Sequence, residues 1–166
     1  MRAGGRATVG LAALGLTGCQ ADLDAPREPA ALDRPFFDCR VQPVLTRDCG
    51  ALACHGAAGR YFKVFARNRL RLDGDETQRN AFLRPAERDH NFNAARAFID
   101  PADPPRSLLL QKPLEQAAGG AFHVGATLYR GGDVFASTDD PDYQVLAQWA
   151  AGATEVPTCQ EPGSNL

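Results

Sequence analysis

Between positions 35 and 45 the apolar residues Phe37, Val41, Val44 and Leu45 recur at the spacing of one helix face. Pro43 lies inside that stripe and lacks a backbone donor, so the pattern predicts a bent helix or two short pieces meeting there. From 61 to 72, Tyr61, Phe62, Val64, Phe65, Leu70 and Leu72 alternate irregularly with Lys63, Arg67, Arg69 and Arg71, which predicts an extended or strand-like stretch. Short helices are expected over 76–83, with Thr77 near the start and Pro85 past the end, and over 92–99, stopped by Asp100-Pro101. Pro101, Pro104 and Pro105 then impose an extended loop, after which Ser107 is placed to cap a short helix through Leu108, Leu109 and Leu110. Five glycines make 117–134 loop-rich. The last element, 141–151, carries a stripe of Tyr143, Leu146, Ala147 and Ala150, widened by Val145 and Trp149 and followed by Gly152. Tyr143 and Trp149 read as core residues packed on the first helix. Asp139, Asp140 and Asp142 suit the positive end of that last helix, so capping accounts for them. The expected fold class is mainly α, a small domain with long loops.

The N-terminus changes the picture of where this domain works. Arg2 and Arg6 precede an apolar run from Ala7 to Leu16, too short for a bilayer span of about 20 residues. Leu16-Thr17-Gly18-Cys19 resembles the lipobox of bacterial lipoproteins, in which cleavage precedes the cysteine and the cysteine carries the lipid. The other readings are an ordinary secretory peptide with an incidental cysteine, or a retained anchor. The organisation expected is a signal peptide over 1–18, lipidated Cys19 and a solvated linker over 19–34, and one folded domain over 35–166. The address is the bacterial cell envelope, periplasmic or outer-membrane associated, with the membrane reached through the lipid.

The 166 residues are 44% hydrophobic and 23% charged, which fits one globular domain and excludes a disordered chain. The whole chain has 18 Lys and Arg against 20 Asp and Glu. Cleavage would remove Arg2 and Arg6 and no acid, leaving 16 against 20, a net charge of −4. An acidic exported domain lacks the basic footprint of a nucleic-acid partner.

Five cysteines beside a single methionine, Met1, frame the candidate chemistry. Covalent haem attachment uses two thiols for thioethers and the adjoining imidazole as an iron ligand, so histidine must directly follow the second cysteine. Cys49-x4-Cys54-His55 has that order, with four intervening residues where two are usual. The alternative is a Cys49–Cys54 disulfide with His55 an ordinary surface residue. In both cases Cys39 and Cys159 remain as an even pair once Cys19 carries lipid. A disulfide between them would close a loop of well over 100 residues, for about 4 kcal/mol by loop entropy. Two other pairings of the four stay open.

With no methionine beyond Met1, an iron held by His55 takes a second histidine or keeps an open position. His123 lies in the glycine-rich loop before the last helix and is the favoured second ligand; its other identity is a loop residue beside five-coordinate iron. His90, in the polar run Glu87-Arg-Asp-His90-Asn91, reads as a solvated loop histidine. Arg67, Arg69 and Arg71, with Arg60 and Lys63, read as a solvated basic face, the alternative being contact with haem propionates or an acidic redox partner.

The chain resembles the cytochrome c-like domains of lipoproteins and large secreted proteins of myxobacteria and planctomycetes. The resemblance rests on 37–45 (FDCRVQPVL) with Cys49-x4-Cys54-His55-Gly56, on 103–113 (DPPRSLLLQKP), on His123-Val-Gly before Gly131-Gly132, and on 140–149 (DPDYQVLAQW) with Gly152. Paired glycines commonly follow the histidine directly in such domains; here Val124-Gly125 stands there and the pair comes later. The resemblance implies first and last helices packed together, one haem c attached at Cys49 and Cys54, and His55 and His123 as iron ligands. It further implies a membrane-tethered monohaem electron carrier, not a catalyst, serving a redox partner protein in the envelope. Two other functions remain: a haemless, disulfide-stabilised lipoprotein with a binding or structural role, and a haem enzyme or gas sensor with an open iron position.

Overall fold

The structure, a computed structural model, describes Met1, Glu28 and residues 30–127 and 132–155. The export segment, Cys19 and Cys159 lie outside these residues. The described part is mainly helical, with a single isolated parallel bridge, Leu114 to Phe135, and no strand. Among the described residues no helix is long and apolar enough to cross a membrane.

The first helical run, α1 (34–49), passes through Pro43 without a break. It does so by alternating α-helical segments, Arg34–Phe36 and Gln42–Val44, with π-helical ones, Phe37–Val41 and Leu45–Cys49. The wider π turn bonds Gln42 N to Phe37 O and Gly50 N to Leu45 O, so a changed pitch accommodates the donor that proline lacks. Phe37, Val41 and Leu45 are fully buried. The folded unit begins earlier than the linker reading placed it: Ala30 is buried, Leu32 packs on the core, and Asp33 caps α1 by accepting from Phe36 N at 2.6 Å.

Three further helices follow: α2 (Pro85–Arg96), α3 (Leu108–Gln111) and α4 (Pro141–Ala150). Ser107 stands at the cap position of α3, but its hydroxyl accepts from Asp100 N at 3.0 Å; its carbonyl serves Leu110 N and Gln111 N. Asp140 caps α4 through Asp142 N and Tyr143 N, and Gly152 takes the left-handed conformation, φ 89°, that ends the helix. Phe37, Phe92 and Trp149 form an aromatic triangle with centroids 5.2 to 5.9 Å apart, edge-on at Phe92 and tilted between Phe37 and Trp149, tying α1, α2 and α4 together. Trp149 is fully buried, and its indole N–H donates to Asp33 O at 2.9 Å.

Two expectations for the middle of the chain are corrected. The predicted helix over 76–83 is one 3₁₀ turn, Glu76–Gln78, capped by Asp75, and the predicted helix over 92–99 starts earlier, at Pro85. Pro85 is thus the first residue of α2 and not the stop of the element before it. His90 consequently lies on a helix, half-buried with its ring edge-on to Phe65 at 4.8 Å, and not in a solvated loop. The 61–72 stretch forms no strand. Its buried centre, Val64, Phe65 and Ala66, finds backbone partners elsewhere: Asn91 on α2 accepts from Phe65 N and donates to Phe65 O, both at 2.8 Å. A side-chain amide does here what a neighbouring strand does in a sheet. Asn91→Ala should cost about 2 kcal/mol in urea denaturation, because two buried backbone groups lose their partner.

The arginines of this stretch are not a solvated face. Arg69 donates to Thr46 O and Arg47 O at the end of α1, and Arg67 to Asn80. Arg71 is buried, in a two-pronged pair with the fully buried Glu87, both contacts 2.9 Å. Arg71 also donates to the carbonyls of Gln78, Arg79, Ala81 and Phe82, while Glu87 accepts from Leu72 N and Arg84 N. The pair pins the loop between 72 and 84 to the start of α2.

Candidate functional site

The Cys49 to His55 string follows directly from the end of α1. The last π turn delivers Cys49 into the core, and the chain then folds back: Cys54 N donates to Ala51 O, His55 N to Cys49 O and Gly56 N to Ala51 O, all near 3.0 Å. A β-carbon at Gly56 would stand 2.1 Å from Gly50 O, so the loop closes only with glycine there. Cys49 and Cys54 are free thiols, whereas Cys39 is disulfide-bonded; Cys159, its expected partner, lies outside the described residues. Burial pushes the Cys49 thiol up to about 12, with Asp48 adding to the effect, so it is not a thiolate nucleophile at neutral pH.

The His55 ring is oriented by its neighbours. Its Nδ1 lies 2.9 Å from Phe62 O, and the Phe62 ring meets it edge-on at 4.8 Å. A carbonyl only accepts, so Nδ1 carries the hydrogen. Burial holds the imidazole below its ordinary value, the Phe62 carbonyl opposing this and the His123 and Arg60 charges adding to it. The ring is therefore neutral at pH 7, and Nε2 has a free lone pair.

His123 arrives from the other end of the chain. Its loop is held by Ala121 N to Gln111 O and by Lys112 Nζ to Phe122 O, each 2.8 Å. Its Nδ1 lies 3.0 Å from Oδ1 of the buried Asp133. Gly125 packs against the ring so closely that a β-carbon there would stand 2.8 Å from its Nδ1 and Cε1.

The two rings come together although 68 positions separate them. Their centroids are 6.0 Å apart and their planes differ by only 8°. His90 is not among the residues that line the space around these rings.

That space is a cavity of about 430 Å³. Its walls are largely apolar, from Leu45 on α1, Phe62 and Phe98 on the loops, Leu109 on α3, Val134, and Leu146 on α4. Cys49, Cys54, His55 and His123 all line it, with Asp48, Arg60 and Lys112 as its charged members. Tyr61, Phe122 and Val124, also lining residues, are largely exposed. Volume and lining suit an organic group of cofactor size. The residues fit a haem in three respects: two free thiols beside one histidine, a second histidine whose ring lies 6.0 Å from the first, and a largely apolar cavity that all four line.

Sequence reasoning placed Cys49, Cys54, His55 and His123 in one site, and the structure brings these four to one cavity. It did not find Asp133, Phe62 or Gly125, which orient the two rings. Paired glycines ahead of Asp133 gave a turn signal, but nothing tied that turn to His123. No family model, curated protein or solved structure matches the chain, so the residues of this cavity are themselves the ground for assigning its chemistry.

Proposed function

We propose that the protein is a membrane-tethered monohaem c-type cytochrome that carries electrons in the bacterial cell envelope. The observation that carries this reading is the parallel pair of His55 and His123 rings, 6.0 Å apart, across an apolar cavity that the free thiols of Cys49 and Cys54 also line. Among the described residues no three His, Cys, Asp or Glu side chains converge as a metal shell would require. Two histidines of this chain would hold the iron of a haem, with the macrocycle supplying the rest of its shell. Phe37, Phe92 and Trp149, which join the first and last long helices, support the cytochrome c-like frame.

Haem, when bound, supplies a one-electron ferric/ferrous couple. The chain's residues do the rest. Cys49 and Cys54 would hold the group covalently, and His55 and His123 would bind its iron through Nε2. Phe62 and Asp133 keep both Nδ1 atoms protonated and so set the ring orientations. The apolar walls exclude water. Two histidine ligands would favour electron transfer over ligand chemistry and would set a lower potential than a histidine–methionine pair. Cys19 is proposed to carry the lipid, which tethers the domain without a span and leaves it free to meet a redox partner protein.

The test is the visible spectrum of the chain exported together with c-type maturation machinery. A six-coordinate low-spin spectrum that carbon monoxide does not alter in the reduced protein is expected. A high-spin, carbon monoxide-sensitive spectrum would favour an open-site haem enzyme or sensor. A colourless protein would favour the haemless lipoprotein.

A further inference from the structure

The two histidines differ in what holds them. His55 donates to a neutral backbone carbonyl, whereas His123 donates to a carboxylate. Asp133 is 8% exposed, and its side chain 2%, so the carboxylate is removed from solvent. Its Oδ1 accepts from His123 Nδ1 at 3.0 Å and from Val134 N at 2.8 Å. The backbone beneath it is fixed in turn: Asp133 N donates to Glu115 Oε2 at 2.8 Å, Glu115 N to Phe135 O and Phe135 N to Pro113 O, both at 2.9 Å. Gly125 packs at the same edge of the imidazole, where a β-carbon would stand 2.8 Å from His123 Nδ1 and 3.1 Å from Asp133 Oδ1. A buried carboxylate anchored this firmly is more than a loop tie.

Resting on the haem reading, we infer that Asp133 is a positioning residue for the redox site: it fixes the tautomer of His123 and makes that imidazole the stronger donor of the two. A carboxylate on the far nitrogen raises the basicity of a metal-bound imidazole, and outer partners of this kind change metal affinity about 10- to 100-fold when removed. The same buried negative charge stabilises the more positively charged, ferric state of the site. Asp133 therefore lowers the midpoint potential below what two carbonyl-bonded histidines would set. The Glu115 contact to Asp133 N couples this setting to the bridge between Leu114 and Phe135.

Asp133→Asn keeps an acceptor oxygen and the shape while removing the charge, so it separates electronic tuning from loop geometry. In the haem-loaded protein D133N should stay low-spin, and its ferrous-to-ferric ratio at a fixed redox poise should rise about tenfold, a positive shift of about 59 mV for one electron. Asp133→Ala, which also removes the acceptor, should add a high-spin fraction as His123 loses its orientation. Nuclear magnetic resonance of the reduced, diamagnetic wild-type holoprotein gives a readout that needs no variant: the His123 Nδ1–H should appear as a slowly exchanging proton. A D133N potential equal to wild type, or an Nδ1–H of His123 that exchanges as fast as a solvent-exposed imidazole proton, overturns the inference. A wild-type chain that acquires no haem overturns the haem reading and this inference with it, whereas loaded wild type with an indifferent D133N overturns this inference alone.

Discussion

Replacing Cys49 and Cys54 together with alanine is expected to abolish covalent haem attachment, leaving no band on a haem-stained denaturing gel of the exported chain. His123→Ala is expected to keep the band and to convert the low-spin spectrum to a high-spin one that responds to carbon monoxide. The two outcomes differ because, on the proposed reading, the thiols form the covalent bonds while His123, from a loop 68 positions beyond His55, completes the iron shell. His90→Ala serves as the internal control: it sits on α2 against Phe65 and does not line the cavity, so its spectrum should match wild type. A stained band in the double cysteine variant, or an unaltered spectrum in His123→Ala, would refute these assignments.

The second large effect concerns Glu87, far from any chemistry. Glu87→Gln should destabilise the domain by about 3–5 kcal/mol at pH 7, since it strips the buried Arg71 guanidinium of its counter-charge. Natural domains have about 5–15 kcal/mol in all, so the variant is expected to be marginal. Burial alone would raise the Glu87 carboxyl; the Arg71 contacts, with the backbone N–H groups of Leu72 and Arg84, overcome this and hold it at about 2, against an ordinary 4.5. That difference corresponds to about 3 kcal/mol. Because the folded value is the depressed one, this stability is fully present above pH 4.5 and is lost as pH falls towards 2. Urea denaturation of wild type and E87Q should therefore diverge most at neutral pH and converge between pH 4.5 and 2. A gap below 1 kcal/mol at pH 7, or one that does not change with pH, would contradict the role given to the pair.

What the sequence revealed and what it hid follow from the range of the interactions involved. The first and last helices were legible because each buries one face and therefore repeats its apolar residues at helical spacing: Phe37, Val41 and Leu45 in one, Tyr143, Leu146 and Ala150 in the other. The candidate site was legible because the proposed attachment would demand contiguity, and Cys54 and His55 are neighbours in sequence. The extent of α2 was hidden. Its run from Glu87 to Asn91 looks solvated only until Arg71 and the Phe65 backbone, contributed from a distant loop, are known to be the partners of Glu87 and Asn91. Arg71 itself looked like one of three surface cations, and only its burial separates it from the others. The link between His123 and Asp133 was likewise unreadable, since nine residues, three of them glycines, stand between them and neither residue type announces the contact. Pro43 marked a departure from regular α-helix, and the structure shows its form: the run widens into π turns on either side of it.

The central claim is that the cavity between His55 and His123 holds a haem bound through Cys49 and Cys54. Its most direct test is mass spectrometry of the proteolysed exported protein, following the peptide that contains residues 49–55. The account predicts that this peptide carries one haem, retained under denaturing and reducing conditions, with neither cysteine open to alkylation. Recovery of the peptide without haem, its two cysteines alkylated only after reduction of a disulfide between them, would contradict it.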